Sequence, residues 1–117
     1  MKTADQKQYW VYILLCENES YYTGYTDNLA KRYITHINQT GRCKYTRSFK
    51  PISIAQCWRI MDDKSLAMKI ERYIKKLSRE QKIKIILDPS IIATYEGVML
   101  VSKKERLQFI QKALLAQ

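Results

Sequence analysis

The order of apolar and polar positions predicts that the chain begins with a β-hairpin. Residues 8–16 and 21–26 are rich in aromatic and β-branched side chains, which favour strands, and the polar segment 17–20 between them is typical of a turn. Gly24 stands inside the second segment. Glycine weakens a strand, so its presence indicates either a bulge or a close approach of the backbone at this point.

A helix is expected directly after the hairpin. Helix-capping residue types occupy 26–28, and the apolar positions that follow recur every four residues to about Gln39. The buried stripe of this helix is predicted to consist of Leu29, Tyr33 and Ile37.

The pattern then predicts a third strand and a second helix. Residues 52–60 alternate between apolar and polar side chains, as a half-buried strand does. The aspartates before Lys64 are suitable caps for a helix over 64–77. Its core stripe is expected to contain Leu66, Ile70, Tyr73 or Ile74, and Leu77.

Two capping-box patterns indicate two more helices, over 78–87 and 102–115. Residues 90–101 are apolar but predict no particular element. The resulting order, β-β-α-β-α-α with a C-terminal helix, favours an α+β fold in which helices flank a small three-stranded antiparallel sheet.

Charge changes the functional picture more than composition does. The 117 residues include 21 Lys and Arg against 11 Asp and Glu, a net charge of +10, which favours a polyanionic partner such as nucleic acid. A membrane surface is the weaker alternative, since no segment is clearly a basic amphipathic helix and no run reaches the ~18 apolar residues of a membrane span.

The three cysteines are odd in number and form no C-x-x-C pair, which argues against disulfides and a zinc site. Reduced, buried thiols in a cytoplasmic protein are the simplest interpretation. The polar segment 1–8 lacks the apolar stretch of a signal peptide, which also favours the cytoplasm.

Several side chains could carry chemistry, and each has a simpler explanation. The hairpin tyrosines could be strand formers, or they could supply phenolic groups to a reaction. Arg32 and His36 lie four apart on a helix face that excludes the apolar stripe; the face is either solvated or a phosphate clamp with a switchable proton. Glu71 could pair with Lys75, a contact worth roughly 0.3–0.5 kcal/mol, or could bind a hard cation among its basic neighbours.

Nucleic-acid contacts are expected from a basic loop that contains an aromatic residue, together with one lysine of the second helix. The residues assigned to this role are Arg42, Lys44, Tyr45, Arg47, Lys50 and Lys75.

Together these residues resemble the GIY-YIG nuclease family. Trp10-Val11-Tyr12 and Tyr22-Thr23-Gly24 are similar to its two triads, although Trp10 replaces a glycine. Arg32 follows Tyr22 by the family's ten residues, His36 comes one turn later, and Glu71 matches the metal-binding glutamate. The segments Lys44-Tyr45-Thr46 and Ile74-Lys75-Lys76-Leu77-Ser78 look like those of the short stand-alone bacterial members, the UPF0213 group. The family's downstream asparagine has no counterpart.

The resemblance implies a GIY-YIG-like domain over 8–87 and, over 88–117, an extension with one helix packed on the same domain. It implies an endonuclease that hydrolyses phosphodiester bonds of DNA, with RNA as a further possibility, in repair or recombination-type processing. The alternative is a nucleic-acid-binding module of the same fold with little or no catalysis; a protein-interaction domain is a more distant one. The sequence does not determine the oligomeric state.

Specific roles follow from the resemblance. Glu71 would hold one Mg²⁺ or Mn²⁺, with no small-molecule cofactor. Arg32 would stabilise developing charge, Tyr22 would be the general base, and Tyr12 would orient water or phosphate. His36 would help to take or relay a proton, and Gly24 would let the backbone come close.

The resemblance also imposes a geometric condition. Tyr12 and Tyr22 must face the same side of the hairpin, whereas pairing Cys16 with Tyr21 across a plain four-residue turn would place them on opposite sides. A three- or five-residue connection, or a bulge, is therefore predicted after Cys16.

Overall fold

The computed structural model describes residues 7–40 and 49–116. Over these residues the chain forms one antiparallel sheet of four strands, with helices on both faces. In chain order the strands are β1 (Gln8–Cys16), β2 (Tyr21–Thr26), β3 (Pro51–Met61) and β4 (Val98–Leu100), and their order across the sheet is β2-β1-β3-β4.

The α+β class with an antiparallel sheet is confirmed, but the predicted number of three strands is wrong. β4 pairs with β3 from within the apolar segment 90–101, and a 3₁₀ helix over Pro89–Thr94 precedes it. A strand of three residues is too short to show an alternating pattern, so only its pairing with β3 reveals it.

The described part of the chain contains four α-helices: α1 (Leu29–Asn38), α2 (Lys64–Lys75), α3 (Arg79–Leu87) and α4 (Lys103–Leu115). Each begins at a residue whose side-chain oxygen accepts a backbone N–H of the first turn. The capping box predicted at Ser78 is complete. The one at Ser102 is only half formed, because the Glu105 carboxylate pairs with Arg59 instead.

Alternation along β1 separates the core into two halves. Val11 and Ile13 pack in the cluster that contains α2 and α3, whereas Tyr12 and Leu14 pack in the cluster that contains α1 and α4. Because successive strand residues point to opposite faces, one strand serves both halves. The molecule therefore has three layers, with the sheet in the middle.

The connection between β1 and β2 meets the geometric condition. Cys16 N–H donates to the Ser20 carbonyl (2.9 Å) and Glu19 N–H donates to the Cys16 carbonyl (2.8 Å), which closes a three-residue loop. Glu19 has a φ of 65°, as the third residue of such a loop requires. Tyr12 consequently pairs with Gly24 and Leu14 pairs with Tyr22, so the three-residue connection is confirmed.

The buried residues of α1 and α2 can be compared with the predicted core stripes. In α1, Leu29 and Tyr33 are buried, but Ile37 is only half-buried and His36 is completely buried. The prediction that His36 lies on a face away from the core is therefore wrong.

In α2 the core positions are Ala67, Ile70 and Ile74, whereas Tyr73 is 53% exposed. Of the two residues left open, Ile74 is therefore the one in the stripe. Cys16 and Cys57 are buried and free, as expected, and Cys43 lies outside the described residues. None of the helices described is long and apolar enough to cross a membrane.

Candidate active site

A pocket of about 530 Å³ lies at the edge of the sheet formed by β2. Its lining contains Tyr12 from β1, Tyr22 and Gly24 from β2, Arg32 from α1 and Glu71 from α2. An edge strand has no neighbour on one side, so groups from both faces of the sheet can meet around it. This is why Arg32 and Glu71, which are carried by helices on opposite faces, line the same pocket.

Gly24 is explained by the side chain of Tyr12. A Cβ atom at residue 24 would lie 2.6 Å from Tyr12 Oη and 2.8 Å from Cζ, both shorter than contacts that real Cβ atoms make. The Tyr12 ring therefore crosses the sheet over a position that only glycine leaves open. Pairing between β1 and β2 continues without interruption through Gly24, so of the two predicted alternatives, a bulge or a close approach of the backbone, the close approach is the one observed.

His36 contacts both Tyr12 and Tyr22 from the core. Tyr12 Oη and His36 Nε2 form a buried hydrogen bond of 2.9 Å. The His36 ring also lies edge-on to the Tyr22 ring, with centroids 5.2 Å apart. One buried imidazole thus contacts both tyrosines of the two triads.

Burial, together with the nearby positive charge of Arg32, lowers the pKa of His36 from 6.5 to about 4. The imidazole is therefore neutral from pH 5 to 8. A neutral imidazole can donate or accept the bond to Tyr12, depending on its tautomer. Contrary to the expectation of a switchable proton, His36 does not change charge near neutrality.

Glu71 forms an ion pair and also lines the pocket. Its Oε2 lies 3.4 Å from Lys75 Nζ, so the predicted ion pair is confirmed, and its side chain, 15% exposed, also lines the pocket. Asp27 supplies a second carboxylate to the lining. Mg²⁺ is commonly held by one or two carboxylates together with water and substrate phosphate, and this set of hard oxygen donors is suitable for such an ion.

No cluster of three or more His, Cys, Asp or Glu side chains capable of holding a metal occurs in residues 7–40 and 49–116. A divalent ion at Glu71 would take its remaining ligands from water and substrate oxygens, which is typical of Mg²⁺ in phosphoryl-transfer sites.

Six further residues line the pocket, near the start of β1, the end of β2 and the start of α2: Lys7, Tyr9, Tyr25, Thr26, Asp27 and Lys64. Tyr9 and Tyr25 belong to the hairpin tyrosines considered from the sequence, whereas the other four were assigned no functional role there. Lys7 Nζ lies 3.7 Å from an Asp27 carboxylate oxygen. Strand pairing and helix packing bring these residues together from distant segments. Periodicity and motif spacing therefore could not indicate the group as a whole.

The predicted nucleic-acid contacts are only partly described by the structure. Arg42, Lys44, Tyr45 and Arg47 lie outside the described residues. Lys50 is exposed, and its backbone N–H donates to the Glu17 carboxylate. Lys75 is half-exposed and is the partner of Glu71.

Comparison with known proteins gives one consistent family. The model described as "GIY-YIG catalytic domain" matches residues 8–84. UPF0213 protein CPE1444 of Clostridium perfringens is 45% identical over 82 residues, which are 70% of this chain and 86% of that protein. UPF0213 protein FN1575 of Fusobacterium nucleatum subsp. nucleatum is 37% identical over 98 residues, which are 83% and 96% of the two chains.

Among solved structures, the chain is similar to the solution NMR structure of UPF0213 protein BH0048 from Bacillus halodurans. The two are 29% identical, with a TM-score of 0.43, and the match covers 88% of this chain and 96% of the other.

Proposed function

The chain belongs to the GIY-YIG catalytic domain family, and from this premise we propose that it is a divalent-metal-dependent endonuclease that hydrolyses phosphodiester bonds of DNA. One observation carries the proposal. Tyr12, Tyr22, Arg32 and Glu71 come from four different elements and line one pocket. Tertiary structure that brings a phenol, a guanidinium and a carboxylate together is suited to phosphoryl chemistry, which needs a base, a positive charge and a cation ligand.

Glu71 would be the protein ligand of a Mg²⁺ or Mn²⁺ ion. When bound, such an ion neutralises charge on the phosphate and on the leaving oxygen. Lys75 is the ion-pair partner of Glu71, and its positive charge compensates the carboxylate.

Arg32 would place its planar guanidinium against the non-bridging phosphate oxygens, where negative charge develops. Tyr22, which is half-buried, would accept the proton of the attacking water. Tyr12 would orient the water or the phosphate. His36 is assigned a positioning role, because its neutral ring holds the Tyr12 hydroxyl and contacts Tyr22.

The decisive test compares single-residue variants in a divalent-ion-dependent cleavage assay. We expect Glu71→Gln, Tyr22→Phe and Arg32→Ala each to lower kcat by at least about a hundredfold, as removal of one transition-state contact does. Exposed residues outside the pocket provide matched controls, in which Glu80→Gln and Tyr95→Phe should retain normal rates. Thermal melting monitored by circular dichroism verifies that all variants are folded.

Two outcomes would contradict the proposal. Full activity of Glu71→Gln would exclude Glu71 as the metal ligand. Salt-dependent binding of DNA in EDTA, without cleavage by the unmodified protein under any divalent ion, would instead select the non-catalytic binding module.

A further inference from the structure

We propose that the chain has a second phosphate-binding site, formed by Tyr21, Arg79 and Lys82, which holds the backbone of the substrate strand beside the catalytic pocket. The proposal rests on the proposed function, since the strand held here is the strand that is cleaved. It assigns a substrate-positioning role to three residues outside the pocket.

The site is a cleft of about 200 Å³ lined by Ser20, Tyr21, Arg79 and Lys82. Two of the four lining residues are cationic and none is acidic. The acidic residues nearest in sequence, Glu19 and Glu80, do not line it. The ligand chemistry that fits is therefore an anion with several acceptor oxygens, and a phosphodiester is such an anion.

Arg79 is held in place before any ligand arrives. Its Nη1 donates to the Glu19 backbone carbonyl at 2.6 Å, and its guanidinium lies over the Tyr21 ring, 4.9 Å from the centroid. Arginine carries five N–H donors, so the bond to Glu19 leaves others for a phosphate. A guanidinium already fixed by stacking loses less side-chain entropy when it binds an anion than a free one does.

The position of the cleft relative to the catalytic pocket indicates the ligand. Both lie along β2, with Tyr21 at one and Gly24 at the other. Three residues of a strand span about 10 Å. Phosphates along one strand of a duplex are spaced at about 3.4 Å of axial rise, so the cleft would lie within about three phosphates of the scissile one.

Further cationic side chains lie on α2, just before the cleft residues of α3 in chain order. Lys64 lines the catalytic pocket at the start of α2, and Lys75 pairs with Glu71 near its end, just before α3 carries Arg79 and Lys82. Positive side chains thus occur on both sides of Glu71 along the helices that border β2. A nucleic-acid backbone laid along this edge would meet cations both at the catalytic pocket and at the cleft.

Binding in EDTA tests the site without requiring cleavage. Fluorescence anisotropy with a labelled 20-nucleotide DNA, titrated between 50 and 300 mM NaCl, gives the affinity and its salt slope. We expect Lys82→Gln alone to reduce the slope of log K against log salt by about 1, and Arg79→Gln/Lys82→Gln by about 2, with affinity about tenfold weaker for each contact at 0.1 M salt.

The charge-matched control is Lys104→Gln/Lys112→Gln, two exposed lysines of α4 on the opposite face of the sheet, which should leave the slope unchanged. In the cleavage assay the Lys82→Gln variant should raise KM and leave kcat nearly unchanged, as the loss of uniform binding does. Lys82 has no role in fixing the hairpin turn, so this variant separates phosphate binding from the structural contact of Arg79.

Single methylphosphonate substitutions in the DNA identify the phosphate concerned. One neutral linkage within about three phosphates of the cleavage position should weaken binding by the unmodified protein and have no effect on Arg79→Gln/Lys82→Gln. An equal loss of affinity in both proteins at every substituted position would overturn the proposal. Binding of inorganic phosphate in the cleft, with unchanged affinity for every methylphosphonate DNA, would overturn it as well.

The proposed function and the second site can fail separately. If the unmodified protein neither binds nor cleaves DNA, the proposed function is wrong. If it binds and cleaves DNA normally and the variants have an unchanged salt slope, only the second site is refuted.

Discussion

At the scale of single residues, the pocket depends on two contacts made by Tyr12. Its ring crosses Gly24, and its hydroxyl bonds to the buried ring of His36. Both contacts restrict a phenol that would otherwise have considerable rotational freedom. The two partners are 12 residues apart in the chain and 24 or fewer from Tyr12, so neither contact follows from local periodicity.

His36 makes the stability of the protein depend on pH. Its pKa is about 4 in the folded protein against about 6.5 in the unfolded chain, so its contribution is fully present above pH 6.5 and is lost as the pH falls towards 4. We expect the free energy of unfolding to decrease by about 1 kcal/mol between pH 7 and 5.5 through this residue.

Urea unfolding at several pH values, compared with a His36→Gln variant, measures this term, and the chain contains no other histidine to obscure it. Identical pH dependence of the two proteins between pH 7 and 5.5 would show that the imidazole is not desolvated as described.

Gly24→Ala should displace the Tyr12 ring, because the added methyl group would lie 2.6 Å from Oη. We expect a destabilisation of roughly 1–3 kcal/mol and a large loss of cleavage activity. In a Tyr12→Ala background the same substitution should cost much less, since the clash is gone, and a double-mutant cycle of unfolding free energies measures the difference. Additive effects would contradict the close contact.

At the scale of elements, the hairpin turn determines which residues face the pocket. The three-residue loop after Cys16 places Tyr12 and Tyr22 on one face, whereas a connection longer by one residue would reverse one of them. The loop requires a left-handed third residue, and Glu19 adopts this conformation where glycine would be more favourable.

Glu19→Gly should therefore stabilise the protein by roughly 0.5–1 kcal/mol, since it removes the strain of a side chain at positive φ. The same change at Glu17, whose carboxylate accepts the Lys50 backbone N–H, should destabilise it. Chemical denaturation of both variants measures the two effects, and destabilisation by Glu19→Gly would argue against the loop geometry.

The elements differ in how well the sequence predicted them. Caps and periodicity located all four α-helices to within two residues, because these signals arise from neighbouring residues. β4 escaped prediction since three residues carry no period. The division of the chain at residue 88 stays a prediction.

At the scale of the whole molecule, α4 is anchored beside the first triad. Trp10, which stands where the resemblance has a glycine, lies edge-on to Phe109 of α4 at 5.8 Å. The Arg59 guanidinium lies over the Trp10 ring, 6.0 Å from its centroid, and forms an ion pair with Glu105 of α4. The tryptophan thus provides a docking point for a helix that also packs on α1, the element that carries Arg32 and His36.

Phe109→Ala should lower the free energy of unfolding by about 2 kcal/mol, because it removes a partly buried ring and its contact with Trp10. Leu107→Ala, at a position 49% exposed on the same helix, should change it by less than about 0.5 kcal/mol. Thermal unfolding measured by calorimetry distinguishes the two, and equal effects would contradict the docking of α4 through Phe109.

The sequence by itself determined the helices, the longer strands and the basic charge, since composition and periodicity are local properties of the chain. The candidate residues Tyr12, Tyr22, Arg32 and Glu71 were indicated by the resemblance of their motifs to the GIY-YIG family. Tertiary structure alone decided that these four line one pocket around an edge strand, that His36 points inward, and that Lys7 and Lys64 join the lining. These outcomes depend on strand pairing and on helix packing between distant segments, and the exact burial of a residue at a stripe boundary is set by its neighbours from other elements.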